Sequence, residues 1–164
     1  MGVLFCICLV IILVSWAWPY AQALAWHIEH GNVTHYGDFQ VPVAAWVRPD
    51  PHTSSMDLRP GEFGYMDFCV GCKVTPGAKW AEALEQNSKS PDPKIAGMSK
   101  AQLTKKSIRL MIADQPSRCL EDRGTVDCIP EFEERGLTIH YFGSSELKPV
   151  FYETLSKITR TSHQ

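Results

Sequence analysis

The sequence predicts an α+β fold: a small antiparallel sheet packed by two or three helices and preceded by an N-terminal apolar segment suited to a membrane. Three observations carry that expectation. Residues 1–26 contain no Lys, Arg, Asp, Glu or His. Several later runs alternate apolar and polar residues beside Gly-containing turns, which is the period of a half-buried strand. Near the C-terminus, Leu147, Phe151, Leu155 and Ile158 recur at the spacing of one helical face.

The apolar run extends from Val3 through Trp18, then passes Pro19 and Tyr20 into the small-residue segment Ala21-Gln22-Ala23-Leu24-Ala25. An A-x-A pattern just beyond an apolar stretch is the form of a signal-peptide cleavage site, here after Ala23 or Ala25. The same run, taken to Trp26, exceeds the roughly 20 residues that span hydrocarbon. Trp16, Trp18, Tyr20 and Trp26 would then make an aromatic collar at the outer interface. Residues 1–25 are therefore expected to be a signal peptide or a single transmembrane anchor, and residues 26–164 an exported globular α+β domain. No Lys or Arg precedes Arg48, so charge does not set an orientation. Cys6 and Cys8 open the apolar run instead of following it, which argues for small apolar fillers and against a lipidation site.

The charged residues all lie beyond this segment, and a net charge of −2 gives no electrostatic reason to expect a nucleic-acid partner. Aromatic residues spread along the domain argue for a packed core. Four cysteines in an exported domain are available for two disulfides. Cys119 and Cys128 bracket a polar segment centred on Arg123-Gly124, the pattern of a bridge across a turn, and are expected to form a structural disulfide.

Along the chain, residues 27–47 read as a hairpin, with Phe39, Val41 and Val43 alternating beyond a Gly37-Asp38 turn. Pro42 places its strand at an edge or near its end. Arg48 to Ser55 is expected to be an exposed loop. Arg59-Pro60-Gly61 separates two strand regions, Met56 to Leu58 and Phe63 to Val70. A helix is expected from Thr75 as N-cap with Pro76 at its first position, fading by Asn87. A second short helix is expected from Ser99, whose spacing to Gln102 is that of a capping box. Ile108 to Ile112 and Leu137 to Phe142 read as strands. Pro149 moves the start of the last helix toward Lys148.

The sharpest local chemical signal is Cys69-Val70-Gly71-Cys72. A C-x-x-C dithiol can cycle between thiols and a closed disulfide, so a thiol–disulfide oxidoreductase using Cys69 and Cys72 is one reading of function. The first reading is a non-catalytic exported module that is associated with the membrane through its N-terminal segment and binds another envelope or extracellular component, such as a protein of the envelope. A weaker metal reading would combine His27 and His30 with the C-x-x-C pair, but no cofactor or metal ion is expected. Ser144, Ser145 and His140 could be assembled into a hydrolase on paper. No G-x-S-x-G, H-E-x-x-H or glycine-rich phosphate loop supports that choice. Asp67, Asp114, Glu131, Glu133 and Glu134 show no readable pairing and are expected to be solvated.

Overall fold

The N-terminal apolar run folds as one long helix, α1 (Gly2–His30), in a computed structural model that describes residues 2–50 and 52–161. Its most apolar 18-residue stretch has a mean hydropathy of 2.2. The helix passes through Pro19 without ending and stops where Gly31 takes a φ of +74°. The Gly31 N–H bonds the His27 carbonyl at 2.9 Å, closing the last turn. Two expectations shift as a result. Residues 27–30 are helix and not the first part of a hairpin, and the small-residue segment around Ala23 lies within regular helix.

The hairpin itself is β1 (Val33–Tyr36) and β2 (Phe39–Pro42), joined by a two-residue turn in which Gly37 takes φ +58°. Phe39 and Val41 point inward and are buried, as is Val43 just beyond. A strand not foreseen from the sequence, β9 (Thr159–Arg160), pairs with the other side of β2. β2 is therefore the middle strand of a three-stranded sheet, and Pro42 is tolerated because it sits at the strand's end. The segment after Trp46 is irregular, as expected, but Val47 and Pro49 are buried, so it is not wholly an exposed loop. Pro51, within that segment, lies outside the described residues.

The second sheet has six antiparallel strands: β3 (Ser55–Asp57), β4 (Gly64–Lys73), β5 (Lys106–Ile112), β6 (Gln115–Glu121), β7 (Thr125–Pro130) and β8 (Arg135–Gly143). Their order is β3-β4-β8-β7-β6-β5. One face is the core side. Met66, Phe68, Val126, Leu137, Ile139 and Tyr141 form one buried cluster with Phe39, Val41 and Val43 of the small sheet. The same cluster includes Leu147 of a short 3-10 turn (Ser145–Leu147) and Phe151 and Leu155 of α4 (Lys148–Ser156). The stripe read from the sequence is thus the face that α4 buries. Tyr36 stacks on Phe68 at 4.3 Å between ring centroids, and burial first, then Asp50 and Asp67, pushes its hydroxyl up to about 12. Lys148 donates to Glu121 at 2.9 Å and to the Asp122 carbonyl, while the Tyr152 hydroxyl donates to the other Glu121 oxygen, fastening α4 to β6.

Two helices connect β4 to β5, and both starts differ from expectation. α2 (Gly77–Ser88) begins after Pro76, and the Thr75 side chain does not cap it. The cause lies in packing. The Ala78 N–H bonds the Glu131 carbonyl at 2.8 Å, and a Cβ on Gly77 would stand 2.8 Å from Cβ of Arg118 and 2.7 Å from Oε2 of Glu131. Gly77 is where the helix can touch the sheet. α3 (Pro93–Leu103) starts six residues before Ser99, with Asp92 accepting from the Lys94 N–H at 2.8 Å and Pro93 in the first turn. Ser99 is buried in mid-helix.

Candidate functional site

The C-x-x-C pair lies at the outer end of β4, and its geometry depends on one glycine. In a regular strand, residues three apart point to opposite faces. Cys69 pairs with Thr138 and Val70 with Leu137, but Cys72 pairs with Gly136, leaving Gly71 as an extra residue. This is a β-bulge, with Gly71 at φ +74° in the left-handed region that glycine enters without penalty. The extra residue returns Cys72 to the face that carries Cys69. Their Cα atoms are 5.8 Å apart and their sulfurs are bonded.

That face is opposite the hydrophobic core. It presents Tyr65, Asp67 and Cys69 from β4 and Thr138, His140 and Phe142 from β8, all at least partly exposed. Asp67 stands opposite His140, and His140 stands opposite Asp127 of β7, so three ionisable side chains form a row across three strands. Cys69 lies diagonally beside His140; diagonal neighbours on an antiparallel pair are about 7–8 Å apart. Cys69, Thr138, Asp67, His140 and Asp127 line one shallow cavity of about 220 Å³.

The row is internally organised. Nδ1 of His140 is hydrogen-bonded to Oδ1 of Asp127, and Lys105 donates to the other Asp127 oxygen at 3.0 Å. The Asp127 hydrogen bond raises the His140 pKa above the ordinary histidine value, against the effect of burial. Burial works to raise the Asp127 pKa, but its bonds to His140 and Lys105 outweigh that and hold it low. The result is a fixed imidazole whose charged form is favoured, beside an accessible disulfide.

The other disulfide occupies a different environment. Cys119 of β6 and Cys128 of β7 are directly opposite in the ladder, with Cα atoms 4.0 Å apart, and both belong to the core cluster. They are 0% and 1% exposed.

The remaining candidates separate. The His27 ring lies between two carbonyl oxygens, that of Gly31 3.0 Å from Nδ1 and that of Ala44 3.2 Å from Nε2, and donates to one of them. His30 stacks on Trp26 and bonds its carbonyl. With Cys69 and Cys72 bonded to each other, these residues do not converge, and among the described residues no group of three or more His, Cys, Asp or Glu side chains is placed to hold a metal ion. His140 has Asp127 as its partner instead of Ser144 or Ser145.

Glu131 departs furthest from its expected role as a solvated acid. It is 5% exposed, accepts from Arg118 at 3.0 and 2.7 Å, and faces Arg109 at 3.2 Å. Arg109 and Arg118 oppose each other directly in the β5–β6 ladder, a like-charge pair that would be destabilising alone. The Glu131 carboxylate bridges that pair and offsets part of their repulsion, and the Arg118 hydrogen bond holds the Glu131 pKa below the usual range. The partners lie 13 and 22 positions away in sequence, so no local pattern announced them.

The end of α1 also contacts the domain. Tyr20, Ala23, Trp26 and His27 follow helical spacing, and Ala23 is 1% exposed. Tyr20 meets the Trp46 ring edge-on at 6.3 Å between centroids, and Trp26 packs against the core cluster. Between this helix end and the domain is a cleft of about 670 Å³, lined by Trp26, His30, Tyr36, Arg48 and Asp50 among others. The apolar helix and the two disulfides fit an exported or membrane-anchored protein. The chain matches no protein-family model, no curated protein and no solved structure.

Proposed function

We propose that α1 is a retained membrane anchor and that the α+β domain it carries, exposed outside the cytoplasm, acts by binding another envelope or extracellular component. The observation that carries this reading is the contact between the helix end and the domain. A 29-residue helix rises about 43 Å at 1.5 Å per residue, more than the roughly 30 Å of hydrocarbon. One end must therefore stand in the interface. The stripe Tyr20, Ala23 and Trp26 is the part of α1 that meets the domain, whereas residues 4–19 are exposed apolar surface on every side.

Cutting after Ala23 or Ala25 would sever that stripe and remove Tyr20 from Trp46. The cleft beneath the helix end, with aromatic and charged walls, is the surface this reading assigns to the partner. Alkaline extraction and detergent phase partitioning of native membranes test the anchor, with the chain expected in the membrane pellet and the detergent phase. Release into the aqueous phase would contradict it. A photo-crosslinker at Arg48 should give one discrete adduct in native membranes that is lost on Trp26→Ala; no adduct would remove the cleft from the reading.

A further inference from the structure

We infer that Cys69–Cys72 is a thiol–disulfide exchange site, with His140 as the proton donor to the departing Cys69 sulfur and the dithiol of an exported protein as the partner. The inference rests on a juxtaposition independent of the anchor. A glycine bulge places both cysteines on the solvent-facing side of β4. The next positions on that side hold an imidazole already oriented by a carboxylate.

A partner thiolate attacks the sulfur of Cys72, forming a mixed disulfide and breaking the Cys69–Cys72 bond. The electron pair of that bond leaves on Cys69, which takes a proton from the imidazolium of His140. The second partner thiol, as thiolate, then attacks its neighbour's sulfur in the mixed disulfide and releases Cys72, which takes up a proton from solvent. Two electrons pass from the partner dithiol to the pair: the partner ends oxidised, and Cys69 and Cys72 end as thiols. His140 is reprotonated from water, and Asp127 keeps its ring in place.

Attack at Cys72 fits its place near the end of the β4–β8 ladder, where Lys73, Glu134 and Arg135 beside it are all exposed and leave the approach open. Around Cys69 the charges are balanced: Asp67 from β4 and Asp127 from β7 face His140 from β8 and Lys105 from the turn after α3. Exchange is favoured when the leaving thiolate is stabilised or protonated as it departs. His140 is the group in that row able to supply a proton at neutral pH.

The test uses the full chain in detergent, graded dithiothreitol, alkylation with N-ethylmaleimide and peptide mass. Cys69 and Cys72 should be labelled at least tenfold faster than Cys119 and Cys128, which report whether the domain stays folded. Equal rates for the two pairs would overturn the inference. His140→Asn should slow labelling of Cys69 and Cys72 about fivefold at pH 6.5 while Cys119–Cys128 stays closed; an unchanged rate overturns the role of His140. The wild-type chain supplies a second reading that needs no variant. Corrected for the thiolate fraction of the reductant, the rate should fall as pH rises through the His140 titration, and a flat profile is the contradicting result.

Discussion

The two disulfides of this domain lie on opposite faces of the same sheet. Cys119–Cys128 joins directly opposed residues on the core face, where both sulfurs are shut off from solvent. Cys69–Cys72 joins two residues of a single strand on the solvent face, and it can do so because Gly71 breaks the alternation between them. The first closes a sequence separation of 9 and is worth about 2.6 kcal/mol by loop-closure entropy; the second closes a separation of 3 and is worth about 1.6 kcal/mol. What differs is the number of chain contacts each bond holds together. The buried bridge ties β6 to β7 in the middle of the sheet. The exposed one ties a strand to itself, so opening it costs the fold little and leaves the sulfurs available to chemistry.

Stability measurements sharpen that contrast. The largest effect should come from Cys119→Ala with Cys128→Ala, which removes the bridge and leaves apolar space in the core, for a loss of about 3–4 kcal/mol in denaturant unfolding. Cys69→Ala with Cys72→Ala should lose less than about 2 kcal/mol under the same conditions. Equal losses would mean that the outer bridge also holds the fold.

Next in size is Glu131→Gln, expected to cost about 2–3 kcal/mol, because Arg118 would keep its charge while losing the carboxylate that meets it. The melting temperature of this variant is the readout. A change within error would show that Arg109 and Arg118 do not need Glu131.

Smaller and spread over pH is the contribution of the His140–Asp127 pair. The folded His140 pKa is raised, so its stabilisation is present at low pH and is lost as pH rises through that raised value. The folded Asp127 pKa is lowered, so its stabilisation is present above the ordinary carboxylate range and is lost as pH falls through the lowered value. The pair therefore stabilises most between the two titrations. Wild type and His140→Asn should differ most in melting temperature in that interval and converge above and below it. A constant difference from acid to alkaline pH would show that the pair does not titrate as described.

Much of the fold was legible because its signals are local. Leu147, Phe151, Leu155 and Ile158 lie within one helical pattern, and Phe39, Val41 and Val43 within one strand. The helix starts were misread where two local signals competed. Asp92-Pro93 carries both an N-cap and a first-turn proline and starts α3, whereas the capping-box spacing at Ser99 falls in mid-helix. Thr75-Pro76 has the same appearance but does not cap, because Gly77 must approach Arg118 and Glu131 before the helix can begin. The candidate site was legible as a C-x-x-C motif and no further. That Cys69 and Cys72 share a face follows from the β4–β8 register, and that His140 and Asp127 stand beside them follows from the β8–β7 register. β9 has two residues and was too short for any period to show.

The central claim is that α1 stays attached and seated on the domain, and the intact mass of the chain extracted from its own membranes tests this most directly. The account predicts a mass that includes Trp16, Trp18 and Tyr20, with the apolar helix continuous into the domain. A mature chain beginning at Leu24 or Trp26 would contradict it and leave a secreted domain without an anchor.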